Sequence, residues 1–92
     1  MSLSAEVLDR AWEKVGMSVQ DRSVDRWAYL FVSGKRVIAT RRSRGSGKIS
    51  GKIPHLIRQQ MKLDENQFRD LVNCPLDREG YLKILHEKGL LG

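Results

Sequence analysis

Apolar residues near the start of the chain recur with the period of an α-helix. Leu8 and Trp12 follow this spacing within residues 4–16, so the pattern predicts an amphipathic helix. Ser4 stands where a side chain can accept the free backbone N–H groups of the first turn, and Gly16 is a typical end signal. We therefore expect the first long element to be a helix that packs through one side.

The pattern then changes to one typical of strands. Residues 24–32 and 36–42 are rich in β-branched and aromatic residues, and Ser33-Gly34 between them is a turn signal. These features predict a β-hairpin. Residues 17–23 are polar and fit either a third, edge strand or a loop.

Both faces of the first hairpin strand are apolar, and one of them is aromatic. Trp27, Tyr29 and Phe31 share this aromatic face. An aromatic stripe at strand spacing most often belongs to a core, and we expect that role here. Beside positive charge, the same stripe can stack unpaired bases, and this alternative stays open.

The rest of the chain returns to helical spacing. Residues 53–62 predict one helix, Asp64 with Gln67 forms the capping box of a second, and Asp77 caps a third. The predicted order is helix, two or three strands, loop and three helices. We therefore expect one α+β domain over residues 1–92, with a small antiparallel sheet packed against helices.

Charge is strongly segregated along the sequence. Lys35–Gln60 contains eight of the seventeen basic side chains and none of the eleven acidic ones, so its net charge is +8 against −2 for the rest and +6 for the chain. Such a local field attracts a polyanion, most often nucleic acid, and we expect RNA more than DNA. We also expect the eight basic side chains to face one side. The predicted phosphate contacts are Lys35, Arg36, Arg41, Arg42, Arg44, Lys48, Lys52 and Arg58.

The segment Arg41–Lys52 is a basic, glycine-rich loop that leads into a helix. Backbone N–H groups in such a loop favour an anion. A nucleotide P-loop is excluded, because Lys48 is followed by Ile49 instead of Ser or Thr, and Arg42 stands where the first glycine belongs.

Three side chains are candidates for acid–base or metal chemistry: His55, Cys74 and His86. Their spacing matches no zinc signature, and we expect no metal and no cofactor. For Cys74 we expect a small buried residue, and for His86 a surface position near a helix end. His55 lies in the first turn of the helix after the basic loop, where it can contact a phosphate or act as general base in RNA cleavage. It is the catalytic candidate.

The bulk composition indicates where the protein works. No apolar run approaches the roughly 20 residues that a bilayer-crossing helix needs, and the first residues lack the layout of a signal peptide. The single cysteine fits a reducing compartment. We therefore expect a soluble cytoplasmic protein without a membrane partner.

The run Arg26–Leu71 and its surroundings contain a series of short segments in a characteristic order. They are Asp25–Phe31 (DRWAYLF), Ser33-Gly34-Lys35, Val37–Thr40 (VIAT), Arg44–Gly47 (RGSG), Ile57–Leu63 (IRQQMKL) and Gln67-Phe68, with Leu71–Leu76 and Tyr81 in an extension. On these segments the run resembles the HicA-type toxin family of toxin–antitoxin pairs, especially its longer relatives. The resemblance implies an α-β-β-β-α fold like that of double-stranded-RNA-binding domains. It also implies RNA binding and, in active toxins, ribonuclease action that an antitoxin blocks.

One departure from the family concerns catalysis. The family's catalytic histidine lies in a Gly-Ser-His stretch at the start of a strand, and the corresponding place here is Arg26-Trp27-Ala28. The sequence therefore predicts a small RNA-binding domain that contacts phosphates through its basic hairpin and loop. Two alternatives stay open: an active mRNA interferase toxin with an antitoxin partner, and a non-enzymatic adaptor that binds an acidic partner or forms a homodimer through its apolar hairpin.

Overall fold

The fold combines a three-stranded antiparallel sheet with four helices among the residues that the computed structural model describes. These residues are 3–45, 47–49, 51–73 and 75–91, so Cys74 lies outside them. The α+β class and the α-β-β-β-α order with extra C-terminal helices are as predicted. The elements are β1 (Leu3–Ser4), α1 (Ala5–Lys14), β2 (Ser18–Arg22), β3 (Asp25–Val32), β4 (Lys35–Ser43), β5 (Lys48–Ile49), α2 (Ile53–Gln60), α3 (Glu65–Val72) and α4 (Arg78–Glu87).

Helix α1 begins and ends as its sequence predicts. The Ser4 hydroxyl accepts a hydrogen bond from the Val7 N–H at 3.2 Å, which caps the first turn. Beyond the C-terminal end, Gly16 has a φ of +77°, a conformation that glycine adopts without strain. The side that faces the core carries Leu8 and Trp12, both fully buried.

The sheet has the strand order β2-β3-β4, and all its pairs are antiparallel. The polar residues 18–22 form a real edge strand, which settles the ambiguity between strand and loop. Every residue of β2 is exposed, so backbone pairing with β3 rather than apolar burial holds it in place. The β3–β4 turn has positive φ at both Ser33 (52°) and Gly34 (80°), as a type I′ turn requires.

The two faces of the sheet have different surroundings. Ala28, Leu30 and Ile38 lie on the inner face and join one buried cluster to which all four helices contribute. The outer face carries Trp27, Tyr29 and Phe31, none of which belongs to that cluster.

The basic loop is tied to the start of the chain by a short strand pair that the sequence did not predict. Leu3 pairs with Ile49 and Ser4 with Lys48 in the antiparallel pair β1–β5. The Ala5 N–H also donates to the Gly47 carbonyl at 2.8 Å. The loop is thus anchored at the N-terminal end of α1.

The C-terminal helices confirm the predicted caps. Asp64 and Gln67 form a reciprocal capping box, and the Asp77 carboxylate accepts from the Gly80 N–H at 2.9 Å. The buried Tyr81 hydroxyl donates to the Met61 carbonyl at 2.8 Å, which joins α4 to the end of α2. Within the described residues, no helix is long and apolar enough to cross a membrane.

Candidate nucleic-acid interface

The outer face of the sheet is built around a row of three aromatic rings. Trp27, Tyr29 and Phe31 alternate along β3, so the pleat directs all three away from the helices. The Trp27 and Tyr29 rings are nearly parallel, with centroids 5.9 Å apart and an interplanar angle of 8°. The Tyr29 and Phe31 rings are 6.3 Å apart and tilted by 51°. The small residues Ser18 and Ala39 flank Tyr29 on the neighbouring strands and leave room for these rings.

Arginine side chains lie over this aromatic row. The guanidinium carbon of Arg41 is 5.3 Å from the centroid of Trp27, and that of Arg36 is 5.3 Å from the centroid of Tyr29. Arg22 approaches Tyr29 from the opposite edge at 6.0 Å. Each contact is a cation–π interaction, worth about 0.5–1 kcal/mol at an exposed site. The rings therefore hold the three guanidinium groups over the outer face.

The prediction that the aromatic stripe belongs to the core is wrong for Trp27 and Phe31, whereas Tyr29 is buried as predicted but lies outside the cluster that the helices cover. Tyr29 is only 5% exposed, but the side chains around it on the outer face shield it, not the helices. Phe31 is 46% exposed, and Trp27 is partly exposed. The alternation in β3 shows which residues share a face, but both faces are apolar, so it does not show which one the helices cover.

The electrostatic character of the outer face is positive. Within the described part of the chain, no hydrogen bond or ion pair engages the guanidinium of Arg22 or Arg36. Arg41 has a long contact to one carboxylate, Asp25, at 3.3 Å, and 54% of the Arg41 side chain is exposed. Exposed pairs of this kind contribute only about 0–1 kcal/mol. All three arginines therefore present donors to solvent.

Arg42, the next residue along β4, points to the inner face and has a structural role. Its side chain is 4% exposed. Its Nε and Nη2 donate to the two Asp9 carboxylate oxygens at 3.0 and 2.8 Å, and its Nη1 donates to the carbonyls of Ser43 and Gly45 at 2.9 and 3.0 Å. This placement does not support the predicted phosphate contact, because the guanidinium is buried and fully engaged.

The Asp9 carboxylate also joins Arg26, the first residue of the stretch Arg26-Trp27-Ala28. Arg26 Nη1 donates to Asp9 at 2.8 Å, and its Nε donates to Asp21 at 2.7 Å. The hydrogen bond from Arg26 lowers the pKa of the Asp21 carboxyl below its ordinary value. This stretch thus supplies an ion-pair network on the inner face and an aromatic ring, Trp27, on the outer face.

The remaining predicted cations are spread around the molecule. Lys35 is exposed beside the hairpin turn, and Arg44 donates to the Ser23 carbonyl at 3.1 Å. Lys48 is exposed in β5, and Lys52 is exposed at the N-terminal end of α2. The expectation that all eight basic side chains face one side is therefore wrong.

His55 and Arg58 lie together in the helical layer. Arg58 Nη1 donates to the Leu63 carbonyl at 2.9 Å, and its Nη2 donates to His55 Nδ1 at 2.7 Å. Both line a cleft of about 490 Å³ between α2 and α3, together with Glu65 and Arg69. This cleft is on the helical side of the sheet, so His55 does not join the aromatic row. Its catalytic role stays a prediction. The other histidine, His86, is exposed in the last turn of α4.

Sequence reasoning missed Arg22. Its signal was the alternation of Ser18, Gln20 and Arg22, which places all three on the outer face once residues 18–22 are known to be a strand.

Among the described residues, no group of three His, Cys, Asp or Glu side chains is arranged to hold a metal ion. No protein-family model, curated protein or solved structure matches the chain, so the HicA-type resemblance stays a prediction.

Proposed function

We propose that the chain is an RNA-binding domain that contacts phosphate groups through the outer face of its sheet. The observation that carries this proposal is the set of three guanidinium groups, those of Arg22, Arg36 and Arg41, held over the aromatic row. Guanidinium groups bind phosphate oxygens through paired donors. The exposed cations of the basic loop, Lys48 and Lys52, extend the positive field beyond the sheet.

The arginines that lie over the rings are suited to binding because their side chains have already lost part of their rotamer freedom. A free arginine side chain carries about 2 kcal/mol of rotamer entropy, part of which is lost when it binds. Contact with an aromatic ring restricts the arginine side chain before the ligand binds, so less entropy is lost on binding. Phosphate contact also releases counterions, so binding weakens linearly with the logarithm of salt concentration.

The proposal is for binding without cleavage. At the place of the family's histidine, Arg26 is held by two carboxylates and Trp27 offers no basic nitrogen. Among the described residues of the outer face, we find no histidine that can serve as general base. The HicA-type relationship is part of the proposal, as a fold used for RNA contact. A cytoplasmic location, where RNA is abundant, is part of the same proposal.

The test is the affinity of purified protein for labelled RNA, measured by fluorescence anisotropy at several salt concentrations. We expect Arg36→Ala/Arg41→Ala to weaken binding and to lower the slope of log Kd against log salt by about 1.4 on single-stranded RNA, since each lost contact contributes about 0.7. The control is Arg69→Ala, which removes one exposed arginine of α3 in the helical layer, so the losses are compared per arginine removed. Equal losses in both variants, or no binding by the unaltered protein at low salt, would overturn the proposal.

A further inference from the structure

Two cross-strand pairs on the outer face share the same composition. Trp27 on β3 is paired with Arg41 on β4, and Phe31 on β3 is paired with Arg36 on β4. In the first pair the guanidinium lies over the Trp27 ring, and in the second the Arg36 guanidinium lies over the neighbouring Tyr29 ring. Tyr29 lies between the two pairs and is 5% exposed, so it supports both without offering a free ring surface.

A β-bulge produces the second pair. From Asp25 to Leu30 the partners on β4 follow a regular register, which would place Val37 opposite Phe31. The register shifts by one residue between Leu30 and Phe31, so Arg36 faces Phe31 instead. Val37 is the extra residue, and it packs against the core. A one-residue shift moves side chains to the other face of a sheet, and here it brings Arg36 to the outer face.

These two pairs match the chemistry of an unpaired nucleotide. A base offers a flat π surface that stacks on an aromatic ring, and its phosphate accepts hydrogen bonds from a guanidinium. We infer that the outer face is a docking surface for unpaired RNA nucleotides, with one base at Phe31 and a neighbouring base at the part of the Trp27 ring that Arg41 leaves exposed, and their phosphates at Arg36 and Arg41. This inference rests on the proposed RNA-binding function and specifies its ligand.

The same face does not suit duplex RNA. The bases of a duplex are stacked on one another, so they cannot stack on a protein ring. Double-stranded RNA is recognised instead through phosphates and 2′-hydroxyl groups along two successive minor grooves, about 16 base pairs in all. The three arginines can contact the phosphates of either kind of RNA, but in a duplex the exposed ring surfaces have no free base to stack on. The ring surfaces gain most from a base that has no partner.

The ligand class is tested by comparing two RNA probes: a short single-stranded oligouridine and a duplex of about 16 base pairs. We expect the single strand to bind more tightly than the duplex and to quench the fluorescence of the partly exposed Trp27. Phe31→Ala and Trp27→Ala should each weaken single-strand binding by about 5- to 150-fold, the range of alanine substitutions at base-stacking sites.

Leu56→Ala is the matched control for Phe31→Ala. Leu56 lies on α2, and both side chains are 46% exposed, so both substitutions remove a half-exposed apolar side chain. The control should leave RNA affinity unchanged. Circular dichroism and thermal unfolding of all variants show whether the fold is retained. Phe31→Leu, which keeps apolar bulk and loses the π surface, should also lose affinity and gives a second measurement if an alanine variant unfolds.

The other possible outcomes show whether base stacking alone is wrong or RNA binding as a whole is wrong. Equal binding of both probes, unchanged by Phe31→Ala and Trp27→Ala but lost in Arg36→Ala/Arg41→Ala, would overturn base stacking and leave RNA binding intact. Absence of binding to either probe at low salt would overturn both. If neither probe binds and Phe31→Ala changes the sedimentation of the protein, the outer face is a protein interface and not a nucleotide site.

Discussion

Replacing Arg42 by alanine should strongly destabilise the fold, although Arg42 stands within a block of basic residues. Its side chain is 4% exposed and makes four hydrogen bonds, two of them to the Asp9 carboxylate. Removing one partner of a buried ion pair typically costs about 3–5 kcal/mol. Asp9 is 30% exposed and keeps its contact with Arg26, so the carboxylate left behind is not stranded. We therefore expect the lower end of that range, about 3 kcal/mol.

This loss is large relative to the stability of a small domain. For a domain of this size, 1 kcal/mol corresponds to about 4–8 °C in Tm, so Arg42→Ala should lower Tm by about 12–24 °C. Asp9→Asn should be at least as harmful, because it leaves the Arg42 charge buried without a full countercharge. High salt should reduce the effect only slightly, because buried pairs are weakly screened.

The matched control is Arg36→Ala, on the same strand but on the outer face. Arg36 contributes one cation–π contact, so its loss should cost about 0.5–1 kcal/mol and lower Tm by only a few degrees. Thermal unfolding followed by circular dichroism measures both variants. A Tm shift below about 4 °C for Arg42→Ala, or an equal shift for the two variants, would refute the structural role of the Asp9–Arg42 pair.

Two further substitutions test other parts of the fold. Burial raises the pKa of Tyr81 above its ordinary value of 10.0, so the unfolded chain loses this proton first and stability should fall as pH rises above about 10. In Tyr81→Phe this fall should be smaller, and loss of the hydrogen bond to Met61 should cost about 1 kcal/mol at neutral pH. Urea unfolding between about pH 7 and 11 measures both effects. Gly16→Ala should reduce the free energy of unfolding by more than the roughly 1–2 kcal/mol expected for a non-glycine residue in the left-handed conformation. The added Cβ would stand 2.5 Å from Arg78 Nη1, and moving that group would break its hydrogen bond to the Val15 carbonyl. Gly34→Ala is the control that separates backbone strain from the contact with Arg78, because Gly34 has a φ of +80° and open space around it. Equal losses of unfolding free energy in Gly16→Ala and Gly34→Ala, measured by urea unfolding, would show that the contact with Arg78 is unimportant.

Local chemistry explains what could be predicted from the sequence. The Ser4, Asp64 and Asp77 caps and the Ser33-Gly34 turn depend on residues close together in the chain, and all of them form as predicted. The small antiparallel sheet packed on helices followed from these signals and from the change in period.

The candidate site could be predicted only in part, because it depends on long-range packing. Trp27 and Ala28 stand on opposite faces of an equally apolar strand, and only the position of the helices decides which face is free. Arg22 was overlooked because β2 is exposed at every position and therefore carries no apolar alternation. Arg41 and Arg42 are neighbours with the same charge, yet the first lies over a ring and the second is buried against α1.

The β-bulge explains why the faces of β4 were hard to predict. The two-residue turn pairs Val32 with Lys35, and continuing that register without a break would place Arg41 beside Arg26 on the inner face. On the inner face Leu30 instead pairs with Ile38, and this register differs by one residue from the register set by the turn. The single extra residue Val37, between Arg36 and Ile38 on β4, reconciles the two registers. It directs Arg36 and Arg41 outward together, and it leaves Arg42 to bind Asp9. A basic block that is continuous in sequence is thus divided between a structural ion pair and the proposed nucleotide surface.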